Sequence, residues 1–173
     1  MNEFLYLYPL YEFAKPLVGE SRWNSGEREK SYQRLAEIIA ARYRQNDYRI
    51  NWLLFSKTEG SIQPDLSIAA QELFLPEDRL LVSGKTFDNL VVSKQYPNTD
   101  FILSQLVPRP DKLVIAGFHL WDCVDKLAEA AYNNGIPTIV DKDLTELFFW
   151  GYRSGRIQTI RTERKLDIPE SMV

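Results

Sequence analysis

The sequence predicts a single α/β domain: a three-layer sandwich with a central, mainly parallel β-sheet. Short apolar runs alternate with amphipathic helical patterns, most clearly at residues 112–161, and such alternation with short connections is typical of parallel sheets covered on both faces. The run at residues 112–116 is aliphatic at successive positions, as expected of a central strand buried on both sides. The chain has 173 residues, 45% of them hydrophobic, which suffices for one core.

In the first part of the chain, strand-like apolar runs alternate with a helical pattern. Residues 4–10 combine aromatic and aliphatic side chains before and after a proline, which predicts a short first strand. A loop composition at 14–26 precedes an amphipathic pattern at 27–46 that predicts a long helix. Residues 49–56 predict a second buried strand, whereas residues 57–77 show no clear pattern.

Two segments in the middle of the chain share one pattern. Residues 78–84 and 111–117 both consist of an acid, a base, three aliphatic residues, a small residue and a glycine. This agreement predicts two parallel strands of one sheet. Between them, residues 90–93 predict a short strand, and residues 99–106 predict a short helix ahead of two prolines.

The second half has the clearest alternation. The strand at 112–116 precedes a helical pattern at 121–134, which ends at a glycine and a proline. Residues 138–140 predict the next strand, 144–152 another helix, and 156–161 an edge strand. The predicted order of elements is therefore that of a covered parallel sheet.

Composition excludes several classes of function. We expect one domain over residues 1–161 and a loose polar tail at 162–173. The net charge of -3 offers no basic surface for nucleic acid, and no signal peptide or membrane-spanning run is recognised. We therefore expect a cytoplasmic protein without nucleic-acid or membrane partners. One cysteine and one histidine cannot form a Cys/His zinc site, and we expect no metal and no other cofactor.

Cys123 is the main candidate for chemistry. It follows the strand at 112–116 and falls in the first turn of the helix predicted at 121–134. Ligands of open parallel sheets bind beyond the carboxyl ends of the strands, and a helix N-terminus favours the nucleophilic thiolate. The alternative is a small buried apolar residue, which is the usual role of a free cysteine.

The residues around Cys123 resemble a known signature. Gly117 is followed six residues later by Cys123 and then by Val124, an alanine-rich helix, a glycine and a strand that ends at Asp141. This arrangement resembles the isochorismatase-like cysteine hydrolases, a superfamily that includes nicotinamidases, carbamoylsarcosine-type amidases and isochorismatases. The resemblance covers most of residues 4–150 and implies the isochorismatase-like form of the three-layer fold.

The resemblance also implies roles for individual residues. In the family an aspartate deprotonates the cysteine, a lysine stabilises the charged pair, and the thiolate attacks an amide or a similar carbon. Carried over, Cys123 is the nucleophile and Lys94 is the lysine, with Lys85 as the alternative because both follow aliphatic segments. The backbone N–H groups of Leu120 and Cys123 would bind the oxyanion, beside an expected cis peptide bond between His119 and Leu120.

The chain departs from the family pattern at the catalytic base. The family's aspartate falls on Tyr8, and Glu12 corresponds to a second acid that is not catalytic. A tyrosine with an ordinary pKa of about 10 is a poor base for a thiol, and Glu12 and Asp122 are the nearest spare carboxylates in sequence. The segment after the second strand also lacks the Asp-x-His metal cluster of nicotinamidases.

The candidate pocket and its alternatives involve a few further residues. The residues expected to line the substrate pocket are Tyr8, Phe118, His119 and Trp121. Aromatic residues beside a sheet end are more often core residues. His119 is more readily a turn residue at the rim of the site than the partner of Cys123 in a Cys/His pair. Gly84-Lys85-Thr86 resembles the end of a phosphate-binding loop, although Arg79 stands where that loop has its first glycine.

Two functions compete on these grounds. The first is a cysteine-dependent hydrolase of a small amide or related substrate, with an incomplete Asp/Lys/Cys triad. The second is a non-catalytic isochorismatase-like fold that serves as an interaction or assembly module. A nucleotide or phosphate binder using residues 84–86 is a distant third. We also expect a homo-oligomer, because aromatic residues suit a self-complementary face; those residues are Phe148, Phe149, Trp150 and Tyr152.

Overall fold

The computed structural model describes residues 1–10, 25–120 and 122–147. A parallel sheet of five strands forms their centre, in the spatial order β3-β2-β1-β4-β5. The strands are β1 (Asn2–Leu7), β2 (Arg49–Leu54), β3 (Arg79–Val82), β4 (Lys112–Leu120) and β5 (Thr138–Leu147). The predicted α/β class with a mainly parallel sheet is confirmed.

The strands predicted at residues 4–10, 49–56 and 112–116 occupy the interior of the sheet. β1 lies between β2 and β4, so that each of the three has a hydrogen-bonded neighbour on both sides. In β1, Phe4 and Tyr6 point to one face of the sheet while Leu5 and Leu7 point to the other, and all four are buried. Burial on both faces explains why the sequence of this strand is continuously apolar and does not alternate with polar residues.

Helices cover both faces of the sheet. Helix α1 (Ser25–Arg42) lies on the face of Phe4, whose ring stacks on that of Tyr43 with centroids 4.0 Å apart. Helices α2 (Thr99–Ser104) and α3 (Cys123–Asn133) pack on the opposite face, the face of Leu5 and Leu7. The three helices match the three predicted from the pattern at these places in the sequence.

Residues 90–93 do not form the predicted strand. They belong largely to a π-helical turn at Asp88–Val92. The backbone N–H of Thr86 donates to the Asn89 side chain at 3.0 Å, and the backbone N–H of Asn89 donates to the Thr86 hydroxyl at 3.2 Å. These reciprocal bonds satisfy the first backbone donors of a helical turn, and they outweigh the strand preference of two valines.

The prediction of a helix at 144–152 is wrong at residues 144–147. They continue β5 as a strand, and the helix predicted at 144–152 does not begin there; residues 148–152 and the strand predicted at 156–161 lie outside the described residues. The reason is the length of β4, whose end at 117–120 pairs with 145–147 after a shift in register. Pairing with a neighbouring strand overrides the local helical pattern.

Asp78 links the start of β3, at the edge of the sheet, to the turn that follows α1. Its buried carboxylate accepts hydrogen bonds from Arg44 at 2.8 Å, from the Trp52 indole at 2.7 Å and from the Leu75 backbone N–H at 3.0 Å. Burial opposes ionisation of the carboxyl, but these bonds outweigh it and hold its pKa below the ordinary value of 3.8. The ionised carboxylate therefore stabilises the fold.

We expect Asp78→Asn to lower the free energy of unfolding by about 2 kcal/mol at neutral pH, because Arg44 loses its partner. Since the pKa of Asp78 is depressed in the folded state, its contribution is present above the ordinary value and is lost as pH falls through the lowered one. Urea denaturation of both proteins at neutral and at acidic pH measures this, with Asp47→Asn at an exposed position as the control. If the wild type and Asp78→Asn differ in free energy of unfolding by as much at acidic pH as at neutral pH, the lowered pKa of Asp78 is contradicted.

Candidate functional site

A small pocket opens at the carboxyl edge of the sheet, beside the ends of β1 and β2. Its volume is about 20 Å³, which is room for about one ordered water molecule. Its walls are mostly apolar, and a few polar groups converge on it, as is usual for ligand pockets. The lining residues are Leu7, Tyr8, Leu53, Tyr96, Pro97, Thr99, Ile102, Cys123, Lys126 and Leu127.

Cys123 is the first residue of α3, as predicted, but its environment favours the thiol. The side chain is 8% exposed, and burial together with the negative charge of Asp122 raises its pKa from 9.0 to about 12. The ammonium of Lys126 and the backbone N–H of Cys123 act in the opposite direction without overcoming these effects. The expectation that the helix N-terminus lowers this pKa is therefore wrong, because desolvation exceeds the dipole effect.

Tyr8 follows β1 and forms part of the pocket wall. Its backbone has a φ of 55°, a left-handed conformation that is unusual for a residue other than glycine. The backbone N–H donates to the carbonyl of Leu53 at 2.9 Å, and the ring stacks on Phe55 with centroids 4.3 Å apart. These contacts fix the side chain in the position that it occupies beside Cys123.

The Tyr8 phenol is a neutral group. Burial raises its pKa well above 10.0, the nearby Cys123 and Asp122 add to this, and the Ser83 side chain acts in the opposite direction. The Ser83 hydroxyl already exchanges hydrogen bonds with the backbone of Lys85. Among the described residues the Tyr8 hydroxyl has no partner at hydrogen-bonding geometry. It therefore cannot serve as a base at neutral pH, and its O–H remains available as a donor.

A charged pair lies at the rim of the pocket. The Lys126 ammonium is 3.0 Å from a carboxylate oxygen of Asp122 and 4.0 Å from the centroid of the Tyr96 ring. Burial and a hydrogen bond with Asp122 raise the pKa of Tyr96. The lysine and the aspartate are one helical turn apart, on either side of Cys123 in sequence, and their opposite charges compensate each other.

This architecture matches solved structures of known proteins. An isochorismatase family protein from Burkholderia thailandensis aligns with a TM-score of 0.59 at 15% identity, over 98% of this chain and 89% of that one. The Pyrococcus horikoshii pyrazinamidase, solved in complex with zinc, aligns with a TM-score of 0.57 at 11% identity over 99% of both chains. The chain has the isochorismatase-like fold. The Staphylococcus aureus nicotinamidase also aligns, with a TM-score of 0.54 at 14% identity, over 99% of this chain and 98% of that one.

The likeness to these proteins is one of fold. No protein-family model matches the sequence, and no curated protein matches it significantly. At such low identities, function has to be argued from the residues that the isochorismatase-like fold brings together in this chain.

The two lysines considered from the sequence lie away from the pocket. Lys94 is exposed, follows the π-helical turn and does not line the pocket. Lys85 forms an ion pair with Glu59 and also does not line it. The lysine beside the thiol is Lys126, which the sequence did not single out as a site residue. Its spacing from Asp122 was the signal that could have identified it.

The remaining predicted site residues have different placements. Phe118 is buried on the other face of the isochorismatase-like sheet, where its ring meets the edge of Tyr6 at 6.3 Å, so it does not line the pocket. The backbones of His119 and Leu120 continue β4, while Trp121 and Glu12 lie outside the described residues. The cis peptide bond and the oxyanion-binding N–H groups expected at 119–123 stay predictions.

The phosphate-loop alternative is not supported by the backbone. The N–H groups of Gly84, Lys85 and Thr86 donate to the side chains of Ser56, Ser83 and Asn89, respectively. Their backbone donors are thus occupied within the protein, and a phosphate would have to displace these bonds.

Neither a metal-binding cluster nor a membrane-spanning helix is found among the described residues. No group of three or more His, Cys, Asp and Glu side chains there is arranged to hold a metal ion. Within the same residues, no helix has the length and hydropathy needed to cross a membrane. The aromatic residues expected to form an oligomer interface, at 148–152, lie outside the described part of the chain.

Proposed function

We propose that this chain is a non-hydrolytic isochorismatase-like domain that serves as an interaction or assembly module. One observation carries the proposal: a buried, neutral phenol of Tyr8 stands where the resemblance places the catalytic carboxylate, next to the thiol of Cys123. Without a base the thiol stays protonated, and it cannot begin acyl transfer as a thiolate does. A chain that keeps the fold but lacks the base is suited to an interaction or assembly role, which needs the folded surface and no catalysis.

A cysteine-dependent hydrolase is the second candidate. It is favoured by the Asp122–Lys126 pair beside Cys123, which supplies an acid and a cation near the nucleophile. Against it, Asp122 raises the pKa of the thiol, and Lys126 only partly offsets this. The arrangement therefore contains the residue types of a triad without the electrostatic effect that a triad needs. Assembly into a homo-oligomer and a cytoplasmic location remain part of either proposal.

Turnover of nicotinamide, a small carbamoyl amide and isochorismate tests the two candidates. We expect the wild type and Cys123→Ala to give the same background rate with each compound. General base assistance is worth about 10²–10⁴-fold, so Tyr8→Asp is expected to raise any turnover that depends on Cys123. Tyr8→Phe is the matched control, because it removes the hydroxyl without adding a base.

Two other results of these assays would contradict the proposal or the placement of its site. Robust wild-type turnover that is lost in Cys123→Ala would overturn the proposal and establish the hydrolase. Turnover that survives Cys123→Ala would place the active site elsewhere in the chain.

A further inference from the structure

The outer edge of β3 is covered by a side chain. β3 is the last strand on its side of the described sheet, so one edge of its backbone faces away from β2. The side-chain oxygen of Gln105 accepts a hydrogen bond from the backbone N–H of Val82 at 3.0 Å, and the side-chain nitrogen donates to the Val82 carbonyl at 2.8 Å. An opposing residue of an antiparallel strand would make the same two bonds to Val82. The Gln105 amide therefore occupies the place of a further strand.

Gln105 is held in this position by other contacts. It directly follows α2, and its backbone carbonyl accepts a hydrogen bond from the Arg79 guanidinium. Arg79 also lies 3.4 Å from the buried carboxylate of Glu3 in the central strand. The side-chain nitrogen of Gln105 donates to the carbonyl of Phe101 as well, at 3.3 Å. The end of α2 is thus fastened to both ends of β3, at Arg79 and at Val82.

Leu80 shows what the edge presents where Gln105 does not cover it. Alternate residues of a strand direct their N–H and C=O groups to the same side, so those of Leu80 face outward like those of Val82. The Leu80 side chain is 40% exposed, and no side chain of the described residues bonds to its backbone as Gln105 does to Val82. Three of the four residues of β3 are aliphatic. An open edge of this kind is a template for pairing with another chain.

We propose that the outer edge of β3 is a strand-pairing surface for a second copy of this chain, and that the Gln105 side chain keeps it closed in the native protein. The occupant is a second copy because a two-fold axis beside β3 brings the same edge of each copy together in antiparallel orientation. Leu80 of each copy then lies opposite Val82 of the other, and their outward N–H and C=O groups bond to each other. Both Gln105 side chains have to leave before this pairing forms. The inference goes beyond the proposed function, because it identifies an edge that native assembly does not use.

Sedimentation equilibrium of the wild type and Gln105→Ala, over a range of micromolar concentrations, tests the proposal. We expect the variant to reach twice the mass of the wild-type species. Its association constant should be at least about tenfold higher, because no bonds to Val82 have to be broken before the strands pair. Gln63→Ala is the matched control, since Gln63 is an exposed glutamine in the loop after β2. It should keep the wild-type mass.

A second substitution shows which surface the variant uses. In the Gln105→Ala background, Leu80→Lys places a charge on the edge of each copy, and such charges oppose strand pairing. We expect the mass to return to the wild-type value. Ile62→Lys adds the same charge at a loop position that is 78% exposed, and it should leave the doubled mass unchanged. Urea denaturation of each variant checks that it is folded.

The proposal is overturned if folded Gln105→Ala keeps the wild-type mass, because Gln105 would then be a stabilising contact only. It is also overturned if Leu80→Lys fails to reverse the doubling. Should Gln105→Ala not fold, hydrogen exchange of the wild type decides: the Val82 amide is expected to exchange at least about tenfold more slowly than the Leu80 amide, and equal rates would show that Gln105 does not close the edge. None of these measurements depends on turnover, so their failure leaves the test of the proposed function unaffected.

Discussion

Native Cys123 is expected to react with iodoacetamide about a thousandfold more slowly at neutral pH than the same residue in the urea-unfolded chain. Only the thiolate is alkylated, and each unit of pKa changes its amount tenfold. The rise from 9.0 to about 12 therefore accounts for about three factors of ten. Mass spectrometry measures the rate without ambiguity, because the chain has one cysteine.

The pH dependence and two variants test the cause of this slow reaction. The native rate should rise tenfold per pH unit up to about pH 12, because the folded thiol titrates there. Asp122→Asn should speed the reaction by removing the negative charge that raises the pKa of Cys123, and Lys126→Met should slow it. Equal rates in the folded and unfolded chains would contradict the burial of the thiol and would favour the hydrolase.

Gly117→Ala is expected to destabilise the protein by at least about 3 kcal/mol, or to prevent folding. Gly117 lies in β4 with a φ of 110°, which side-chain-bearing residues rarely adopt. A Cβ atom there would be 2.3 Å from the carbonyl oxygen and 2.6 Å from the nitrogen of Leu7. Both atoms belong to the central strand β1, so neither can move without disturbing the sheet.

Gly60→Ala separates the backbone strain from the steric overlap. Gly60 also has a positive φ, of 74°, but no atom lies within 4 Å of the position that its Cβ would take. We expect a cost of about 1 kcal/mol for this control. Urea denaturation of the two variants measures the difference. Similar values would show that the contact of Gly117 with Leu7 is relieved by a small shift of the backbone.

Sequence reasoning was successful where a local pattern decides the structure. Two-sided burial leaves continuous apolar runs, so the central positions of β1, β2 and β4 were predictable. The spacing of apolar residues and the glycine after α3 predicted that helix, and with it the position of Cys123 at a helix N-terminus. Tyr8 was correctly located at the end of β1, where the pocket lies.

Sequence reasoning failed where contacts between distant segments of the chain decide the local structure. The extension of β5 to Leu147 depends on the length of β4 and on a shift in register between the two strands. The placement of Phe118 depends on which face of the sheet carries the pocket, and alternation along one strand does not specify this. Lys94 resembled a family position, but hydrogen bonds between Thr86 and Asn89 build a helical turn before it.

The sequence by itself determined that the chain forms a covered parallel sheet, that its single cysteine begins a helix at the sheet's carboxyl edge, and that a tyrosine stands in the place of a carboxylate. Only the tertiary structure decided that Cys123 stays protonated and that Lys126 is the lysine beside it. The physical reason is that a pKa is the sum of burial and of charges contributed by separate elements. Tyr8, Asp122 and Lys126 act on the thiol only after β1 and α3 have packed together.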